Sequence, residues 1–209
     1  YVFSRNQDGA WSQEAKLLAG NGHADAYFGE AVAIDGSAIL VGASGYQAAG
    51  VAVGSGYFFA RDETGIWTVE DQVLLPSNNG RSGFGATGVA LESGYAVIGA
   101  TDDDQGAGSV SILRRNTNGT WSHEARLTPS DAAANDSFGI AAALSGPTLV
   151  VGAYFNSDNG NASGSAYVFG RQPDGSWIEE AKLTASDAVE SDWFGNAVDI
   201  DGGRLVVGA

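Results

Sequence analysis

One stretch returns four times along this chain and leaves few folds open to it. It reads FGEAVAIDGSAILVGA from Phe28, FGATGVALESGYAVIGA from Phe84, FGIAAALSGPTLVVGA from Phe138 and FGNAVDIDGGRLVVGA from Phe194. Each copy is a run of small residues, a turn and a second apolar run ending in Gly-Ala. A tryptophan keeps time with it: Trp11, Trp67, Trp121 and Trp177 each stand 17 residues ahead of the next Phe-Gly. Successive tryptophans are 56, 54 and 56 residues apart. Self-similarity at a fixed period of this length marks an architecture of stacked or radial repeats.

The pattern within one repeat is that of strands. Trp11 to Leu17 alternates, with Trp11, Ala15 and Leu17 on one face and Ser12, Glu14 and Lys16 on the other. A period of two belongs to a half-buried strand. Just upstream, Asp8-Gly9 supplies the positive-φ residue of a tight hairpin turn. The same pair of strands recurs as GSGYFFARDETGIWTVEDQVLL, GSVSILRRNTNGTWSHEARL and GSAYVFGRQPDGSWIEEAKL. Four strands per repeat follow: a (FGxAVAI), b (ILVGA), c (GSAYVF) and d (WxxEAKL). Thirty-one glycines and four prolines suit many short strands on tight turns. Strand a is small and apolar, which predicts cover on both faces. Strand d carries a Glu three residues after every Trp, the way an edge strand is kept from pairing with a stranger. That gradient predicts an all-β propeller of four-stranded antiparallel blades, with a at the axis and d at the rim. The four Trp and their following Glu then serve ring packing and edge protection.

Phe-Gly opening strand a and Gly-Ala closing strand b resemble the FG-GAP repeats of integrin α-subunit propellers and of bacterial surface proteins. The resemblance runs over essentially the whole chain and implies a seven-bladed ring, an extracellular or cell-surface setting and a role in adhesion. Calcium-binding members carry a loop of the type DxDxDGxxD between strands a and b. Here those turns are Asp35-Gly36, Glu92-Ser93-Gly94, Ser145-Gly146 and Asp201-Gly202-Gly203, too short to wrap a cation with six or more oxygens. That family calcium site is not carried over.

The repeats divide the chain into an outer half-blade (residues 1–19), full blades (28–75, 84–128, 138–184) and an inner half-blade (194–209). The start inside strand c and the absence of methionine predict a segment of a larger ring, completed by further blades or by a second copy.

Alternating strand directions put the b–c loops and the d-to-a linkers at one end of the blades. Ten acids lie there, among them Asp25, Asp102, Asp103, Asp104, Asp158 and Asp192, against Arg81 as the one basic residue. Function concentrates in loops on rigid scaffolds, so this end is the expected ligand face, with Asp102, Asp103, Asp104, Asp158, Asp192 and Trp193 as its binding residues. Trp193 interrupts the tryptophan rhythm and offers either a stacking platform for a sugar or packing against the neighbouring blade. Asp102-x-Asp104-x-Gly106 and Asn156-x-Asp158-x-Gly160 are half-motifs of a calcium loop, oxygen ligands at alternate positions before a glycine turn. Calcium is therefore the one cofactor in view, at Asp102, Asp104, Asn156 and Asp158.

Lys plus Arg number 10 against 25 Asp plus Glu, a net charge of −15 that disfavours nucleic acid and anionic membrane as partners. Zero cysteine removes disulfides and thiolate catalysis. His23 and His123 belong to no metal-spaced cluster, and GxSxG, GxxxxGK and HExxH are all missing. The expected function is a non-catalytic extracellular module presenting its long acidic loops to a protein or glycan. The alternatives are a spacer or self-assembling unit of a surface fibre, and an accessory propeller of a secreted polysaccharide-acting enzyme.

Overall fold

The computed structural model describes residues 1–21, 26–48, 51–74 and 84–209, with the side chains of 51–52 and 84–87 left aside. Its strands are β1 (Val2–Arg5), β2 (Trp11–Ala15), β3 (Phe28–Asp35), β4 (Ala38–Ala43), β5 (Gln47–Ala48), β6 (Val51–Ala52), β7 (Ser55–Arg61), β8 (Trp67–Val73) and β9 (Phe84–Glu92). They continue as β10 (Tyr95–Ala100), β11 (Ser109–Arg115), β12 (Trp121–Leu127), β13 (Ala142–Ser145), β14 (Thr148–Ala153), β15 (Ser165–Arg171), β16 (Trp177–Leu183), β17 (Ala197–Asp201) and β18 (Arg204–Gly208). A single turn, α1 (Asp103–Gly106), interrupts them and holds non-helical Asp104 and Gln105.

Three antiparallel sheets of four strands form in the orders β3-β4-β7-β8, β9-β10-β11-β12 and β13-β14-β15-β16. These are blades I, II and III. The β1–β2 and β17–β18 hairpins stand as separate two-stranded sheets before and after them. The innermost strands β3, β9, β13 and β17 pack on one another in succession, so strand a lines the axis and strand d the rim. The β-propeller architecture expected from the repeat is the one observed.

Apolar side chains on facing blades interlock. Leu40 and Phe58 of blade I meet Ile98, Leu113 and Trp121 of blade II; Val110 and Ile112 of blade II meet Leu149, Tyr167 and Phe169 of blade III. Alternation along each strand sends one row of side chains to the preceding blade and the next row to the following one. Trp67, Trp121 and Trp177 face backwards, onto the unit that precedes their own. Trp121 stacks on Phe58 of blade I with ring centroids 4.1 Å apart. Burial follows from that direction: Trp121 is 7% exposed, Trp67 and Trp177 are half-buried, and Trp11 is 69% exposed. The ring packing expected of all four tryptophans thus fails at Trp11, because no blade precedes it among the described residues.

The glutamate three residues after each tryptophan does more than guard an edge. Glu14 accepts from Arg61 Nε at 2.5 Å, Glu70 from Arg115, and Glu124 from Arg171 Nε at 3.3 Å. Each pair joins strand d of one blade to the end of strand c in the next. Trp67 Nε1 also donates to Glu14 at 2.9 Å. Arg61 and then Trp67 hold the Glu14 carboxyl below the usual carboxylate range. At the a–b turns a second ladder crosses the blades: Ser93 N–H donates to Asp35, Gly146 N–H to Glu92 and Gly202 N–H to Ser145 Oγ.

Phe-Gly and Gly-Ala touch across the blade boundary. A β-carbon on Gly99 would lie 1.9 Å from the Gly139 carbonyl oxygen, and one on Gly152 would lie 1.8 Å from that of Gly195. Gly139 and Gly195 themselves have φ of +97° and +93° and face backbone of the preceding blade. Both glycines of the signature are therefore demanded by one close backbone approach. Gly29 meets open space instead, and Gly85 falls among the residues whose side positions are not described. The same boundary effect uncovers strand a of blade I, where Val32 and Ile34 are 66% and 62% exposed.

Candidate functional site

The b–c loops and d–a linkers do converge on one end. Gly108 bridges to Phe138 and Gly164 to Phe194 in parallel, tying the b–c loops of blades II and III to the linkers that follow those blades. The linkers into blade III and into the β17–β18 hairpin share one construction. Asp136 accepts from Ala133 N–H at 3.0 Å, and Asp192 from Val189 N–H at 2.7 Å. Among the described residues, the residue before Phe-Gly turns left-handed: Tyr27 at φ 51°, Ser137 at φ 56° and Trp193 at φ 57°. A short side chain that closes its own turn competes well with extended backbone, which is why Asp sits at both turns. The shared backbone makes the position before Phe-Gly a display site, and Tyr27 and Trp193 are 66% and 47% exposed there.

The acids of this end divide by partner. Asp103 is buried and accepts from Ser109 Oγ at 2.7 Å and from Arg126 Nη2 at 2.6 Å. Burial alone would raise its pKa; the Arg126 guanidinium and the Ser109 hydroxyl outweigh it and hold the carboxyl below the ordinary range. Lys182 reaches from strand β16 to pair with Asp131 at 2.5 Å and with Asp158. Tyr167 donates to the same Asp131 at 2.9 Å, and burial pushes its hydroxyl pKa up. Desolvation would lower the Lys182 pKa, but Asp131 and Asp158 together raise it. Asn156 is buried, donating to Asp136 at 3.2 Å and accepting from Ser165 Oγ at 2.8 Å. Asp102 and Asp104 remain exposed. Asp25 and Arg81 lie outside the described residues, as does His23; His123 is exposed on β12 at the opposite end.

Of the proposed binding residues, Asp103 and Asp192 are thus occupied in holding their loops, and Asp158 is neutralised by Lys182. Of the proposed calcium ligands, Asn156 has both ends of its amide engaged inside the protein. No group of three His, Cys, Asp or Glu side chains stands close enough to hold a metal among the described residues. The half-motif at Asn156 and Asp158 does not fit calcium; Asp102 and Asp104 retain free carboxylates.

An aromatic cluster stands beside them. Tyr154 and Phe155 stack at 3.9 Å between centroids, and Trp193 meets Tyr154 edge-on at 6.3 Å. Phe155 is 38% exposed and Trp193 47%, so Trp193 packs on Tyr154 of the neighbouring blade while keeping an open face. Burial, with the nearby Asp102 charge, raises the Tyr154 pKa. Phe155 also walls a hollow of about 450 Å³ between residues 133–136 and 157–162, lined with Asp136, Ser157, Asp158 and Asn161. Tyr154 and Phe155 carry no periodic signal, because they sit just past Gly-Ala where the repeats diverge. Tyr-Phe at the start of an otherwise polar loop was the only mark of them in the sequence.

The fold and this loop-bearing end define a propeller of the kind built from short FG-GAP blades. The FG-GAP repeat family profile matches residues 11–59, 121–169 and 177–209, each match beginning at one of the four rhythmic tryptophans. The chain belongs to the FG-GAP repeat family. Between the first two matches, residues 60–120 are unmatched: strand d of blade I and strands a to c of blade II, whose strand-a segment is two residues longer before its turn, from Phe84 to Gly94, than the nine residues from Phe138 to Gly146. FG-GAP repeats occur in extracellular and surface adhesion proteins. No curated protein matches the chain. Among the described residues no helix is long and apolar enough to cross a membrane.

Proposed function

We propose that this chain is a non-catalytic extracellular binding or adhesion module whose ligand, a protein or a glycan, docks on the long-loop end at Tyr154, Phe155 and Trp193. The observation that carries the reading is the pairing of two half-open aromatic side chains with a polar hollow that shares Phe155 as its wall. Rigid aromatic rings supply contact area at little entropic cost, while a few convergent polar groups set orientation. A sugar ring needs both, an apolar face to stack and amide or carboxylate oxygens for its hydroxyls, so the glycan is the favoured ligand. Ser157, Asp158 and Asn161 are the polar contacts, and Asp102 with Asp104 can add a calcium bridge at the rim.

A glycan array followed by fluorescence titration tests it. Trp193→Ala is expected to weaken binding by roughly 2 kcal/mol, about thirtyfold, the threshold of a binding hot spot. Phe155→Ala should do likewise, with an unchanged melting temperature for both. Binding that survives both substitutions removes this end of the propeller as the ligand site.

A further inference from the structure

Blade II departs from the other repeats at two equivalent positions, and both changes bring in a base. Every repeat ends strand c on an arginine: Arg5, Arg61, Arg115 and Arg171. The residue before it is Ser4, Ala60 or Gly170 elsewhere, but Arg114 in blade II. Two residues after the tryptophan the other repeats have Gln13, Val69 and Glu179, where blade II has His123. The two bases lie on adjacent strands, His123 pairing with Leu113 and Ser122 with Arg114. Both are exposed, and both line one hollow of about 390 Å³ formed by residues 114–117 and 122–124. It lies at the turn end of the blade, opposite the long loops, and blades I and III stand on either side of it.

Charge sets this hollow apart. Asp plus Glu outnumber Lys plus Arg by 25 to 10. Within the complete blades Arg61, Arg115, Arg126, Arg171 and Lys182 each pair with a carboxylate. Arg114 makes no ion pair among the described residues. The other two charges at the wall are already answered, Arg115 by Glu70 and Glu124 by Arg171. What remains is a free guanidinium beside an imidazole, with the Thr117 and Ser122 hydroxyls around them. No lining residue is apolar. Protein partners anchor through buried aromatic and aliphatic side chains, which this hollow has nothing to seat against. Its volume stands at the small end of ligand pockets, and the net charge of −15 around it opposes a polyanion.

We infer that the hollow is a second binding site, for a sugar bearing one carboxylate at the end of an otherwise neutral glycan. The Arg114 guanidinium meets the carboxylate with two parallel N–H donors, a geometry that suits arginine above any other side chain. His123 adds a ring N–H, and Thr117 and Ser122 meet the sugar hydroxyls. The site is separate from the aromatic cluster of the loop end and does not depend on it.

Titration of the 209-residue chain by saturation-transfer NMR tests it. The probes are glucuronic acid, N-acetylneuraminic acid, the methyl ester of glucuronic acid and N-acetylaspartate amide. At least one of the two acidic sugars should bind, and glucuronic acid should bind more tightly than its ester. Arg114→Ala installs the residue that blade I carries at this place, so the melting temperature should hold while the acid weakens at least about tenfold. His123→Gln, the residue of the first repeat, should weaken it less. Trp193→Ala should leave it unchanged, which keeps this site distinct from the loop end. Absence of binding by both acidic sugars overturns the inference, as does an ester that binds as well as the acid. An affinity indifferent to Arg114→Ala overturns it too. Tighter binding of N-acetylaspartate amide than of either sugar makes the ligand an acidic peptide and overturns the glycan assignment.

Discussion

At the scale of single residues, the loop end is held by ionised carboxylates. Asp103 titrates below its unfolded value because Arg126 and Ser109 outweigh its burial. A depressed carboxylate stabilises the fold at pH above its unfolded pKa, about 3.9, and that stability is lost as pH falls through the lower folded value. Asp103→Asn should therefore flatten the acid limb of the stability curve below about pH 4, as followed by urea unfolding across pH. Arg126→Leu leaves the buried carboxylate with one fewer donor. Its cost is on the order of 1–2 kcal/mol, low in the usual range because the guanidinium is 38% exposed and screened. A calcium titration resolves the rim: binding heat that disappears in Asp104→Ala assigns the ion to Asp102 and Asp104, while heat unaffected by that change places it elsewhere.

At the scale of the element, strand a is decided by its Phe-Gly opening. Gly139 carries φ +97° and faces Ser109 and Gly99 backbone within 2.8–3.1 Å of where a β-carbon would be. Gly139→Val combines overpacking with a left-handed β-branched residue, for a loss of about 2–4 kcal/mol. Gly29 has the same backbone and open space around it. Gly29→Ala therefore carries only the conformational penalty, about 1 kcal/mol. Chemical denaturation of the two variants separates the two terms. Equal losses would remove the blade-to-blade contact as the reason for the signature.

At the scale of the whole molecule, stability is a chain of nearest-neighbour contacts between blades. Trp121 lies in the middle of that chain, 7% exposed and stacked on Phe58. Trp121→Ala is expected to cost about 3–5 kcal/mol, enough to unfold a domain of ordinary stability. Trp11→Ala should change the stability of this chain by no more than about 0.5 kcal/mol. Thermal melts of the pair compare an occupied boundary with an open one.

The repeat in the sequence determined the strand order, the antiparallel blades, the place of strand a at the axis and the end that carries the long loops. Period-two alternation and a recurring Phe-Gly are local and need no knowledge of neighbours. Which member of a repeated set is buried was not local. Trp11 and Trp121 occupy the same place in their repeats, and only the presence or absence of a preceding blade separates 69% from 7% exposure. The same holds for Glu70 and Glu180, alike in sequence and unlike in partner. At the loop end the acidic composition was plain, yet the cations that answer it, Arg126 and Lys182, stand on strand d and reach the loops through their length. Only folding brought Tyr154 against Trp193, some forty residues along the chain. A linear pattern records what each blade is made of; packing between blades decides which of its side chains are spent and which stay free.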